Sequence, residues 1–431
     1  MPKGKDSVLI VGSGGREHAL AWALAKSPHV GKVYCAPGNG GTACEDKCVN
    51  IPIYDAAHIL DAAEEFNASL IIVGPEALLV RGIVDEFHKK NRRIFGPSAG
   101  AAMLEGSKAY AKRFMDEHGI PTARFKTFTD ADEALRYVDS TNRPLFIKAD
   151  GLAAGKGAMD GSTPDAARVA IRRAMIDKEF GEAGNEIVIE DYLCGEEASY
   201  MALVNSECGI AVPLLPSQDH KRLLDGDNGP NTGGMGAYTP TSLLTPELMK
   251  SIEREILNKT VRGLRERKLP LSYTGTLYPG IMVSDGNPFV LEYNVRFGDP
   301  ETQAVLPMLK SDLYEAFTEL LAGKAPNLEW SDGYAVCVVA ASMGYPGKYE
   351  TGKRIYGLNN CKDVRIFHAG TKNENGACYT NGGRVLGITG LGATVEQARN
   401  KAYAAFDDIS FEGILFRTDI GNKEIGRKVM R

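Results

Sequence analysis

The chain has little of what marks a secreted, membrane-bound or nucleic-acid-binding protein. Its 431 residues hold eight cysteines, and the closest group, Cys35, Cys44 and Cys48, lacks the paired CxxC spacing that gathers thiolates around zinc. Reduced, mostly buried thiols are expected. No run nears the roughly 20 apolar residues of a membrane span, and "MPKGKDS" leads into the first strand without an apolar signal segment. Basic blocks are missing too, and a net charge of −5 gives no electrostatic reason to bind nucleic acid or an anionic membrane. The expectation is a cytoplasmic protein that works on small molecules, long enough at about 100 to 200 residues per domain for more than one core.

A further absence lies inside the first motif. "VLIVGSGGREHALAWAL", Val8 to Leu24, reads as a buried strand, a glycine turn and an amphipathic helix. Free N–H groups and the positive helix end then face the turn, which makes it a phosphate site. The third glycine of GxGxxG is replaced by Glu17, and the second strand ends "KVYCAPG" without the acid that would hold an adenosine ribose, which counts against a nicotinamide dinucleotide. Arg16 favours an anion; His18 sits in the helix as a packing or hydrogen-bonding residue. The strand and helix pattern repeats through "SLIIVGPE" and "RIFGPS" to Phe95, as in a doubly wound parallel sheet. The helix "KAYAKRFMDEHG" ends at Gly119, and residues 122–193 read as a small lid with its own strands. The last hundred residues begin again with "YAVCVVAAS", and Thr394 with Gln397 forms a capping box for a helix near Val395 to Phe406. The expected class is α/β: a parallel-sheet domain over 1–107, a central domain over 108–330 that includes the lid, and a mostly β closing domain over 331–431.

Three stretches carry chemistry. In "PLFIKADGLAAGKGA" a strand delivers Lys148, and five of the residues Gly151 to Gly157 are glycine or alanine, so backbone can close over a polyphosphate. No GK[ST] follows, so this is not a P-loop. In "NPFVLEYNVRFGDPETQ" strand alternation sets Phe289, Leu291, Tyr293 and Val295 on one face and Glu292, Asn294 and Arg296 on the other. Glu292 and Asn294 are hard oxygen ligands suited to Mg²⁺ between nucleotide phosphates, and Arg296 can hold a carboxylate. "EIVIEDYLCGEEAS" puts Glu190 at a strand end and then a short crossing to Glu197, suited to backbone pairing with an adenine edge and to a carboxylate on ribose hydroxyls, while "PSQDHKR" and "NTGGMGAY" bring Asp219, Lys221 and Arg222 near a glycine loop.

Lys108, Lys148 with its glycine loop, the Glu190 to Glu197 crossing and "LEYN", in that order, resemble the ATP-grasp superfamily. Within it, "GSGGREHALAW", "APGNGGTA", "IVGPEALL", "KADGLAAGKG", "GEEAS", "SQDHKR", "GPNTGGMGAY", "RFGDPETQ" and "FRTDIG" resemble the phosphoribosylamine-glycine ligase family, nearly end to end. The resemblance implies an ATP-grasp central fold and the reaction ATP + glycine + 5-phosphoribosylamine → ADP + phosphate + glycinamide ribonucleotide. It also implies a glycyl phosphate intermediate and Mg²⁺ or Mn²⁺ on Glu292 and Asn294. ATP would be bound by Lys108, Lys148, Gly151, Gly155, Lys156, Gly157, Glu190, Asp191, Leu193 and Glu197, and Arg296, Lys148 and Asp219 would act in catalysis. Gly14, Gly15 and Arg16 are expected to hold the sugar phosphate, and Gly38, Asn39, Pro75 and Glu76 to shape the ribose pocket. Asp219, Lys221, Gly233, Gly234 and Arg296 complete the expected substrate contacts. The expected state is a monomer, with a dimer as the alternative. One departure concerns "TGTLYPGIM", which lacks the further metal carboxylate many ATP-grasp enzymes have there; its Pro279 predicts an edge or a bulge. A different ATP-grasp ligase, a nicotinamide oxidoreductase and a non-catalytic nucleotide module are the competing readings.

Overall fold

The computed structural model describes residues 5–141, 143–152, 157–269 and 271–429, with the side chains of the last two left out. Near its amino end five parallel strands run in the order Cys48–Asn50, Val30–Pro37, Asp6–Gly12, Leu70–Val73 and Ile94–Phe95. The order reverses about Asp6–Gly12, so a crevice opens at its carboxyl end, beside Gly12 and Gly74. The short strand Cys48–Asn50 was not visible in the sequence pattern. The helix Gly15–Ala25 is buried along its whole length rather than amphipathic. Its "ALAWALA" run is apolar all round because later chain covers the side away from the sheet, with Trp22 edge-on to Phe367.

A four-stranded antiparallel sheet forms next, Phe125–Phe128, Ile187–Asp191, Leu145–Ala149 and Ala158–Gly161 in that order. Helices Ala131–Ser140 and Pro164–Ile171 pack on it, and Ala134, Val138, Ile147, Ile171 and Ile189 give it a core of its own. The helix before it, Lys108–Glu117, is followed by Gly119 at φ +60°, the left-handed exit that glycine favours.

The central sheet is built on Thr274–Ser284, with Asn287–Asn294 on one side and Glu196–Ser199 and Ala202–Asn205 on the other. Pro279 therefore stands in an interior strand, not an edge. The register shifts next to it: Gly280 pairs with Glu292 but Ile281 with Val290, so Leu291 is an extra residue. This bulge corrects the regular alternation expected here, because Val290 joins Tyr293 and Val295 in the core while Leu291 leaves it.

In the last sheet the neighbours are Gln218–Asp219, Gly236–Thr239, Tyr334–Ser342, Arg384–Gly392 and Val364–His368. It thus runs across the expected boundary at 330/331, since two strands from the middle of the chain pair into the closing region. Thr394 caps the helix Val395–Ala404 through Gln397 N–H, but the Gln397 amide reaches back to Ala393 N–H, one residue before the position a capping box uses. Among the described residues no helix is long and apolar enough to cross a membrane.

That helix lies directly on Gly390, where a Cβ would stand 2.2 Å from the Ala398 carbonyl oxygen. Gly390→Ala is expected to cost about 1–3 kcal/mol through overpacking, read as a fall in melting temperature with turnover per folded molecule unchanged.

Candidate active site

The glycine turn is held by its own helix. Gly14 N–H donates to Glu17 Oε2 at 2.5 Å, and Arg16 Nε lies 2.6 Å from Glu17 Oε1 while its Nη1 donates to the Phe297 carbonyl at 3.1 Å. The Glu17 side chain fills the crevice so fully that a Cβ on Gly74 would lie 1.8 Å from its Oε1. Asp299 flanks the turn from the other side, 3.2 Å from where a Gly14 Cβ would be. The expected role of Gly14 is corrected: its N–H already has an acceptor, and two carboxylates face it. The donors left for a ligand are the first-turn amides from Gly15 onward. Gly38 takes φ +72° against Asn50. Asn39 is spent on the scaffold, with Nδ2 donating to Ser13 O and His368 O while Oδ1 accepts from Gly41 and Thr42 N–H. His18 is buried and hydrogen-bonded, its Nδ1 accepting the His368 N–H at 2.7 Å.

The central sheet brings Glu292, Asn294 and Arg296 to the opposite wall. Glu292 takes no hydrogen bond or ion pair from any described residue. Burial pushes its pKa up, but Lys221, Lys148, Lys108 and Arg296 outweigh that and hold the carboxyl below its ordinary value. A carboxylate with no direct partner, set in a ring of cations and two residues from an amide oxygen, suits a hard cation that arrives with phosphates. Arg296 donates to Asn294 Oδ1 at 2.9 Å and is paired with Glu76 at 3.3 Å and Glu105 at 3.1 Å. Pro75 precedes Glu76 as the cap residue of the helix Glu76–Val80.

The four-stranded antiparallel sheet supplies the next side. Lys148 donates to the carbonyl of the bulged Leu291 at 2.9 Å, so the register shift presents an acceptor to the site. It shares the buried Glu190 carboxylate with Lys112, which is just as buried. Burial pulls Lys112 down to about 8 despite Glu190, while Glu190, pushed up by burial, is held below its ordinary value by Lys148 and Lys112. The Glu190 side chain is thus a counter-ion, and the Asp191 and Tyr192 amides are tied to Arg124 and Pro144 carbonyls. Asp191 holds Arg124 and Arg143 at 3.1 and 2.6 Å. Lys108 donates to the Gly151 carbonyl at 2.8 Å, and the Gly157 carbonyl accepts from Ala149 N–H. Gly155 and Lys156 lie outside the described residues.

Glu197 and Lys221 pair at 2.5 Å. Among the described residues Asp219 Oδ1 has no hydrogen-bond partner, and burial and Glu301 push that carboxyl well above its ordinary value against the pull of Lys221 and Arg384. Gly234, at φ +107°, leaves only 3.0 Å between its missing Cβ and Asp219 Oδ1. Arg384 comes from the last sheet to the Gly233 carbonyl, to Asp299 O at 2.7 Å and to Asp299 Oδ2 at 3.3 Å. Lys112, Glu105, Asp299, Glu301 and Arg384 were not singled out in the sequence. Lys112 could have been, since it lies one helical turn from Lys108, and Asp299 and Glu301 stand in "RFGDPETQ"; Glu105 and Arg384 have no local signal.

Comparison with known proteins matches this arrangement along the chain. Residues 6–105, 106–302 and 335–423 match the N, ATP-grasp (A) and C domains of phosphoribosylglycinamide synthetase. The chain belongs to this family. A phosphoribosylamine-glycine ligase of Ralstonia nicotianae is 48% identical over 97% of this chain and 100% of its own length. The trifunctional purine biosynthetic protein adenosine-3 of Gallus gallus is 46% identical, and the match spans 42% of that longer protein. The crystal structure of the Thermotoga maritima phosphoribosylamine-glycine ligase superposes with a TM-score of 0.85 at 38% identity, covering 96% of this chain and all of that one. A biotin carboxylase domain from Hydrogenobacter thermophilus, solved with MgADP, gives 0.74 at 17% identity over 95% and 91% of the two chains, a likeness of fold.

In this member of the synthetase family Glu190 is the counter-ion of two buried lysines. Glu190→Ala should cost about 3–5 kcal/mol, the loss expected when buried charges are left uncompensated. Chemical denaturation of the purified variant measures it; wild-type stability would show that the two lysines do not depend on Glu190.

Proposed function

We propose that the family's ligation of glycine to phosphoribosylamine runs in two steps at the cation ring around Glu292. The overall reaction, an ADP-forming, ATP-dependent ligation in purine biosynthesis, is that of the family. Glycine's carboxylate oxygen attacks the γ-phosphorus, ADP leaves, and glycyl phosphate forms. The amine of 5-phosphoribosylamine then attacks the acyl carbon, phosphate departs with the bridging oxygen, and the amine nitrogen gives up a proton. Asp219, whose carboxyl burial and Glu301 push well above its ordinary value, receives that proton. The first-turn amides of Gly15 and Arg16 take the sugar phosphate, and Glu76 and the loop at Gly38 and Asn39 border the ribose.

One observation carries this reading: Lys108, Lys148, Lys221 and Arg296 converge electrostatically on Glu292, which no described residue pairs. A nucleotide polyphosphate matches that field, and the cations are oriented before it arrives, so little reorganisation is left for the transfer step. Glu292 and Asn294 would hold Mg²⁺, or Mn²⁺, which when bound neutralises phosphate charge. The lid over the site excludes water from the acyl phosphate. A cytoplasmic location goes with this reading; the eight cysteines are free, but only Cys35 and Cys337 are buried, fewer than expected.

Glycine labelled with ¹⁸O in its carboxylate should deliver one labelled oxygen to the phosphate released; unlabelled phosphate would overturn the two-step route. Glu292→Ala and Asn294→Ala should each lower kcat/KM about a hundredfold or more, as loss of several kcal/mol of charge stabilisation requires, with an unchanged circular dichroism spectrum. Near wild-type turnover at ordinary Mg²⁺ would refute the metal assignment.

A further inference from the structure

The strand that carries the ligands loses its ladder just where the chemistry begins. Asn294 pairs with Tyr278 in the last rung, and from Val295 onward the chain is irregular. Val295 N–H therefore has no strand partner, and a buried amide must find another acceptor. It finds Glu105, in the last turn of the helix Ala99–Gly106, with Oε2 at 2.7 Å. The other oxygen of the same carboxylate, Oε1, lies 3.1 Å from Arg296 Nη2, and that nitrogen also donates to Asn294 Oδ1. Glu105 is deeply buried, with 9% of its side chain exposed, against 34% for Glu76, which reaches Arg296 only at Nε. Both Glu105 oxygens are thus occupied by the chain that follows Asn294.

We propose that Glu105 is a positioning residue that fixes the Asn294 amide for metal binding, acting through Arg296. Arg296 has only N–H donors, so Asn294 must turn its oxygen towards the guanidinium. That choice of amide orientation decides whether the side chain offers a metal an oxygen or an NH₂ group. Glu105 sets the guanidinium in place and at the same time pins the backbone one residue beyond Asn294. It stands three residues before Lys108, so a single helix corner carries both the anchor of the ligand strand and a lysine of the cation ring. The inference rests on the reading of Glu292 and Asn294 as metal ligands. Partners that orient ligands in this way change metal affinity by about 10- to 100-fold when removed.

The test is Mn²⁺ binding followed by electron paramagnetic resonance on the full chain with a non-hydrolysable ATP analogue. Glu105→Gln keeps an acceptor for Val295 N–H but loses the charge that holds Arg296. It should weaken Mn²⁺ binding by about 10- to 100-fold, and raise the Mg²⁺ concentration for half-maximal rate in parallel, with a far smaller change in KM for glycine. Mn²⁺ affinity equal to wild type overturns the inference. If that variant does not fold, Arg296→Lys gives the same test, since a lysine cannot bridge Glu105 and Asn294 with one planar fork; weakened Mn²⁺ binding supports the inference and wild-type affinity overturns it. Glu292→Ala separates the two levels: unchanged Mn²⁺ affinity there refutes the metal reading itself, whereas loss in Glu292→Ala without loss in Glu105→Gln refutes only the role of Glu105.

Discussion

Like charges held close together in a protein interior repel, and this molecule places Lys108, Lys148, Lys221 and Arg296 around one carboxylate. Much of the surrounding structure serves to keep them there. Glu190 and Leu291 O hold Lys148, Glu197 holds Lys221, Gly151 O holds Lys108, and Glu76 with Glu105 holds Arg296. Each cation is tied by a group other than Glu292, whose carboxylate no described residue pairs. The cost of burying these charges is met by counter-ions on the scaffold, so the field at the site exists before substrate binds.

The amino-terminal turn shows the same economy with the opposite sign. Its strand, glycines and helix have the layout of a nucleotide-binding crevice. Glu17 turns back into that crevice and takes the Gly14 N–H, while Asp299 closes on it from a loop almost 300 residues later in the chain. Arg384 binds Asp299 and the Gly233 carbonyl together, so the last sheet is fastened to both the turn and the glycine loop that borders Asp219. The crevice belongs to all parts of the chain at once, which is why two strands from the middle of the sequence complete the closing sheet.

The bulge at Leu291 ties fold to chemistry. A regular strand would have kept Leu291 in the core and its carbonyl in the ladder. The extra residue returns Tyr293 and Val295 to the core after Val290 and turns one carbonyl to Lys148. The biotin carboxylase domain shares the fold at 17% identity, so the architecture is common to proteins of different sequence.

Sequence by itself determined the features whose causes are local. Alternation placed Glu292, Asn294 and Arg296 on one face, Gly119 and Thr394 marked a helix end and a helix start, and Pro279 marked a break beside it. Even the Glu17 contact had a local signal, because a glutamate three residues into a helix reaches back to the cap N–H. Tertiary structure alone decided the rest. Glu105 and Arg384 reach the site from segments far from Glu292 in the chain, Asp299 and Glu301 come from the turn just after Arg296, and the helix Gly15–Ala25 is buried on both sides because Phe367 happens to fold over it. Periodicity and capping report the backbone within a few residues, whereas an ion pair or a second buried face depends on which distant segment arrives, and no short stretch of sequence contains that information.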